Sequence, residues 1–177
     1  MSAVDRALPL VTGEKLTREE FLRRWEVLPE LKHAELIGGV VYVPSPLSLA
    51  HSSHHSLANL WLGHYAAFTP GCGGGLEATW LMLTDAPQPD VHLRILPESG
   101  GQSRVEGAYA EGAPELIVEI SLSRASHDLG PKLDLYRRAG VREYIKGARL
   151  LEVLEQGLKS AEHAAFVARL KDPIWNL

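Results

Sequence analysis

Two carboxylates and one ammonium carry the chemistry this chain advertises. Asp90 follows Pro89, Glu119 interrupts the apolar run Pro114 to Ser121, and Lys132 follows thirteen residues after Glu119. Asp and Glu supply the hard oxygen donors that Mg²⁺ prefers, a few carboxylates being completed by water and a phosphate. A metal so held can generate hydroxide and stabilise a departing oxygen, while lysine is a point charge for a strained phosphate. The set therefore implies phosphodiester cleavage. Glu119 carries the most weight, because a carboxylate in so apolar a run is costly unless it is paired or bound to metal.

Those side chains need a sheet and an adjacent helix. PELIVEIS (114–121) reads as a strand buried on both faces. Residues 129–139 read as the next helix, capped by Asp128, with Pro131 in its first turn and Gly140 after its end. Lys132 and Tyr136 stand four apart, on one face of it. Upstream, Thr17 and Glu20 form a capping box for a helix ending near Leu28-Pro29. Strands follow at 31–37 and 40–43 around Gly38-Gly39, then an amphipathic helix 51–68 with Leu57, Leu60, Trp61, His64 and Tyr65 at helical spacing. Further strands are expected at 76–79, 80–84, 90–96 and 141–145, a polar loop at 97–112, and helices at 149–155 and 160–170, the last capped by Ser160. Gly71 to Gly75 reads as a flexible turn.

At 177 residues, with 45% hydrophobic and 23% charged residues, the chain has the composition of one average globular domain. We divide it into an arm (1–14), an α/β domain (15–147) and a C-terminal helical segment (148–177). No apolar stretch approaches the ~20 residues of a membrane helix, and the N-terminus lacks a signal peptide's apolar core. Cytoplasmic location is the expectation. Cys72 is alone, so neither an intramolecular disulfide nor a thiolate cluster can form. The net charge of −4 does not mark a nucleic-acid binder. Residues 121–149, however, carry seven basic residues against three acidic ones, either a patch that steers a phosphate backbone or a solvated helix face.

The ordered motifs Ala34-Glu-Leu-Ile-Gly-Gly39, Ser45-Pro46 to His51, Pro89-Asp90-Val91, Gly112 to Ser121, Asp128, Lys132, Tyr136 and Gly140-Val-Arg-Glu-Tyr144 resemble the PD-(D/E)XK nuclease superfamily. More narrowly, they resemble a large bacterial family of restriction-endonuclease-like proteins. The resemblance spans roughly residues 15–145. It implies an α/β restriction-endonuclease-like core, a central mixed β-sheet flanked by helices, a homodimer, and Mg²⁺ or Mn²⁺ at Asp90 and Glu119, with the Ile120 carbonyl as a third ligand. The superfamily places lysine two residues after the second acid, where this chain has Ser121. In the narrower family the lysine has moved to the following helix, where Lys132 stands. Family members also continue past Glu-Tyr-Trp into further strands, whereas here Tyr144-Ile145 leads to Lys146-Gly147-Ala148.

Remaining candidates each have a plainer reading. Glu35 either approaches the metal from the first strand or is a salt-bridged strand carboxylate. Ser121 and Tyr136 either support the ligands by hydrogen bonds or are ordinary polar residues. His51 could touch phosphate. His51, His54 and His55 suggest zinc by spacing, but solvent-facing or capping histidines are the better account. Glu77 and Asp85 read as strand-edge charges. The expected function is Mg²⁺-dependent hydrolysis of DNA by Asp90, Glu119, Lys132 and Glu35. The alternative is a catalytically inactive, dimeric interaction protein on the same fold.

Overall fold

The computed structural model describes residues 8–120 and 129–146, with the single positions 156, 159 and 161. The expected helix 149–155, all but one residue of the expected helix 160–170, and Ser121 and Asp128 lie outside the described residues.

Helix α1 (Arg18–Trp25) begins where expected, with the Thr17 hydroxyl accepting from the Glu20 amide. The box is only half closed, because the Glu20 carboxylate turns to Arg23 and Arg24 instead. Strands β1 (Glu35–Ile37) and β2 (Val40–Tyr42) form an antiparallel hairpin. Its turn holds Gly38 at φ 60° and Gly39 at φ 73°, the left-handed pair that a tight hairpin turn requires. The arm is partly docked: the Gly13 amide donates to the Val41 carbonyl and the Val41 amide to the Glu14 carbonyl.

Helix α2 (Leu49–Phe68) is capped by the Ser48 hydroxyl. It lies on a four-stranded sheet ordered β3 (Cys72–Leu76), β5 (Val91–Ile95), β8 (Leu116–Glu119) and β9 (Glu143–Lys146). The β3–β5 and β5–β8 pairs are antiparallel and β8–β9 is parallel. A parallel pair needs a crossover, and helix α3 (Leu129–Ala139) lies between β8 and β9 in the chain. A small sheet of β4 (Trp80–Leu81), β7 (Tyr109–Glu111) and β6 (Arg104–Glu106) completes the fold.

Alternation along β5 and β8 decides the layers. Val91 and Val118 pack against Ala58 and Leu62 of α2. Ile117 turns the other way, onto Trp80, Met82, Leu135 and Tyr136. The sheet is therefore buried on both faces, as the apolar run in β8 requires.

Four expectations are corrected. The glycine run is strand β3, not a turn. Gly75 is obligatory there, since an added Cβ would lie 2.7 Å from the His92 ring. The polar loop 97–112 contains the β6–β7 hairpin, turned by Gly107 at φ 59°. The sheet-facing residues of α2 are Ala58 and Leu62, while Leu57, Leu60 and Tyr65 are exposed, because the helix is apolar on more than one face. The long strands expected at 31–37 and 80–84 shrink to three and two residues.

Candidate active site

Asp90 sits immediately before β5 and Glu119 ends β8, which pairs with it from Val91↔Val118 onward. Both acids thus reach the same rim of the sheet. The Ile120 amide donates to Asp90 Oδ2 at 2.6 Å, tying the two strand ends together. Lys132, in the first turn of α3, comes down on that rim. Its Nζ lies 2.8 Å from Glu119 Oε1 and 2.8 Å from Glu35 Oε1. The Tyr136 hydroxyl, one turn along the same helix face, donates to Glu119 Oε1 at 2.7 Å. Glu119 is 6% exposed and Lys132 9%, so this is a buried network whose members depend on one another.

Burial raises the Glu119 carboxyl, and the charges of Asp90 and Glu35 add to that, while Lys132 opposes it; the balance lies at about 7. Burial pulls Lys132 down, but Glu119 and Glu35 outweigh it and hold the amine above its ordinary range. Lys132 is an ammonium whichever state Glu119 adopts, because Glu35 faces it as well. Burial also raises the Tyr136 hydroxyl, with Glu119 adding, so Tyr136 is a donor and not a phenolate.

Glu35 is itself held by the Gln88 amide, which donates to Oε1 at 2.6 Å. Gln88 lies between the buried prolines Pro87 and Pro89, and its side chain spans Ala34, Glu77 and Thr79. On the far side of Asp90, His51 Nε2 stands 3.6 Å from Oδ1 and is buried without a hydrogen-bond partner. His55 Nε2 donates to the Asp90 carbonyl at 2.7 Å, and its Nδ1 lies 3.8 Å from Glu77.

The structure thus brings Asp90, Ile120, Glu119, Lys132, Tyr136, Glu35 and His51 into one neighbourhood. Gln88 and His55 are additional members. Prolines on both sides of Gln88 fix its backbone, but nothing local in the sequence marks either residue as a support of the site. The three histidines do not converge: His54 Nδ1 bonds the Ala50 carbonyl of its own helix, while His51 and His55 turn to Asp90. Nor is His55 solvent-facing, as expected for a bystander; it is half-buried. Asp85 is no strand-edge charge either. It is buried and accepts the Gly38 and Gly39 amides at 2.8 and 3.1 Å. Glu77 adopts φ 48° between His33 and His55. Of the basic patch, Arg137 and Arg138 pair with Asp134 on the exposed side of α3, the solvated-face reading.

Among the described residues no three His, Cys, Asp or Glu side chains form a ready metal cage. The donor set still suits a hard divalent ion, because Mg²⁺ is commonly held by only one or two carboxylates, the rest being water and phosphate. Tyr136 and Lys132 both meet Glu119 at Oε1, and crowding by Asp90 and Glu35 is what a cation would relieve.

No helix among the described residues is long and apolar enough to cross a membrane. No curated protein matches the chain. Among solved structures it is similar to one titled as a "putative nuclease belonging to DUF820" from Anabaena variabilis. The two share 22% identity over 69% of this chain and 68% of that one, with a TM-score of 0.52, a likeness of fold. The mixed sheet and its helices are accordingly a nuclease-like α/β architecture. The family model described as "Putative restriction endonuclease" matches residues 18–165, and the chain belongs to that family, Uma2.

Proposed function

We propose that the protein is a divalent-metal-dependent endonuclease that hydrolyses DNA phosphodiesters, using Mg²⁺ or Mn²⁺. The observation that supports it most is the Lys132 ammonium, buried at 2.8 Å from both Glu35 and Glu119 on the rim that carries Asp90. Asp90, Glu119 and the Ile120 carbonyl would hold the ion, which when bound supplies Lewis acidity and an acidified water.

The chain's own residues do the rest. The Ile120 amide fixes Asp90 Oδ2, which leaves Oδ1 for the ion. The Tyr136 hydroxyl fixes Glu119 Oε1, and Oε2 is the oxygen we assign to the ion. An ammonium has three donors. Two of those on Lys132 are spent on Glu35 and Glu119, and the third is available to a phosphate oxygen whose charge grows in the transition state. Its protonation makes Lys132 an electrostatic stabiliser and not a base. Glu35 is the residue that positions it. His51, which faces Asp90, would meet the scissile phosphate. A homodimer belongs to the same reading, supported by the exposed row Leu57, Leu60 and Phe68 on α2; sedimentation of the purified chain tests it.

Supercoiled plasmid incubated with the protein and Mg²⁺ or Mn²⁺ should be nicked, and Asp90→Ala should leave it intact. Equal inertness of wild type and Asp90→Ala across both metals sinks the enzyme reading. One observation favours a second reading, a non-catalytic interaction protein: Lys132 and Glu119 form a close ion pair that by itself accounts for the buried carboxylate. Calorimetric titration with Mn²⁺ separates the two, since the scaffold binds none and the enzyme binds one ion that Glu119→Gln abolishes.

A further inference from the structure

The strand ends that meet at the rim of the larger sheet differ in charge. The register pairs Leu76↔Val91, Val91↔Val118 and Glu119↔Lys146 bring the ends of β3, β5, β8 and β9 to one edge. In sheet order that edge carries Glu77, Asp90, Glu119 and Lys146. Glu77 continues the ladder past β3, its amide donating to the Asp90 carbonyl at 3.3 Å. Three acids therefore stand in a row, and one ammonium closes it on the β9 side.

Alternation puts Lys146 on the face where the site lies. Ile145 joins Val118 in the cluster under α2, whereas Tyr144 joins Ile117 in the cluster under α3. Successive residues of a strand face opposite ways, so Lys146 shares the face of Tyr144 and of its register partner Glu119. Neighbouring strands lie about 4.8 Å apart, a gap that the four-carbon stem of lysine bridges.

Its charge is also uncompensated. Arg24, Arg104, Lys132, Arg137 and Arg138 each lie against a carboxylate. Among the described residues no hydrogen bond or ion pair holds the Lys146 ammonium, although the residue is half-buried. The adjacent Glu119 is already engaged by Lys132 and Tyr136 at Oε1. A group with three donors and no acceptor is left beside the rim for an anion from outside.

We propose that the substrate strand crosses the rim toward β9, where Lys146 binds the backbone phosphate next to the one being cleaved. The opposite exit, over β3, would carry phosphates past the Glu77 carboxylate, with repulsion in place of attraction. An ammonium is a point charge, so this contact positions the strand and reads no sequence. The inference rests on the nuclease reading for why a strand is met here, but its test needs neither metal nor cleavage.

The test is the fluorescence anisotropy of a fluorescein-labelled DNA duplex titrated with the full chain, without metal, across a salt series. Lys146→Gln should weaken binding and lower the slope of log affinity against log salt by about one, the signature of one lost phosphate contact. The loss should be the same on duplexes of unrelated sequence. Lys146→Arg, which keeps the charge, should retain the wild-type slope. Lys32→Gln removes a cation next to His33, which faces Glu77 on the β3 side, and should leave the slope as it is. No binding by wild type, an unchanged slope in Lys146→Gln, a slope lost as much in Lys146→Arg, or an equal loss in Lys32→Gln overturns the proposal. Plasmid nicking by a wild type whose duplex affinity is indifferent to Lys146 removes this strand path and leaves the nuclease; a Lys146-dependent slope without nicking does the reverse.

Discussion

Lys132 is the residue on which the rim depends. Its removal would leave Glu119 buried and Glu35 half-buried without their cation, the situation that costs most when an ion pair is broken from one side. Lys132→Ala should therefore lose about 3 kcal/mol in urea unfolding, and more at pH 8 than at pH 6, where Glu119 can escape by taking a proton. It should also abolish nicking. A loss below a few tenths of a kcal/mol would mean the ammonium is dispensable. Glu119 sets a second dependence. A ligand must be deprotonated to bind metal, and this carboxyl is raised to about 7. Metal affinity should accordingly rise with pH, by about tenfold per unit below that value and little above it. Calorimetry with Mn²⁺ at pH 6, 7 and 8 checks this, and a flat profile contradicts it.

At the scale of elements, the site is only as firm as the β1–β2 hairpin that carries Glu35. Asp85 clamps that hairpin through two backbone amides. Asp85→Ala would orphan both and should cost about 2 kcal/mol, measured by thermal unfolding. Cleavage should fall with it although Asp85 touches neither acid nor amine at the rim. Unchanged stability would show the hairpin to be held by other contacts. The same hairpin marks what could be read in advance. Gly38-Gly39 announced its turn, and Pro-Asp, the apolar strand with one acid, and a capped helix announced the rim, because each is a local pattern. Asp85, Gln88 and His55 were not legible as site supports, since their contacts span 35 to 53 residues and depend on how turns fold back. Strand β3 escaped notice for a different reason: glycine is depleted from strands. Only the His92 ring opposite Gly75, and α2 over the other face, make a side-chain-free strand the right one there. The β6–β7 hairpin was missed because its three-residue strands are polar and half exposed, which leaves no apolar alternation to read.

At the scale of the molecule, the layers make stability sensitive to mild acid. His92 is wedged between the sheet and Trp80, whose ring lies 4.9 Å away edge-on. Burial, with Arg94 adding, lowers its pKa to about 4 from 6.5. Between those values the unfolded chain binds the proton and the fold does not, so stability rises with pH across this window and is lost as pH falls through it. Wild type should lose about 2 kcal/mol from this group between pH 7 and 5. His92→Phe should lack that component in urea unfolding at the two pH values, and identical pH slopes would contradict the assignment. The two-faced sheet and the helix that follows β8 were the parts most open to sequence reasoning, because burial on both faces and helix spacing are written into β8 and α3.

The most direct test is a crystal grown with Mn²⁺ and measured at the manganese edge. A single anomalous peak bonded to Asp90 and Glu119, with the Lys132 ammonium still beside Glu119, is the predicted result. A peak elsewhere, or none with those carboxylates free of any ion, would contradict a cation-assisted cleavage centre on this rim.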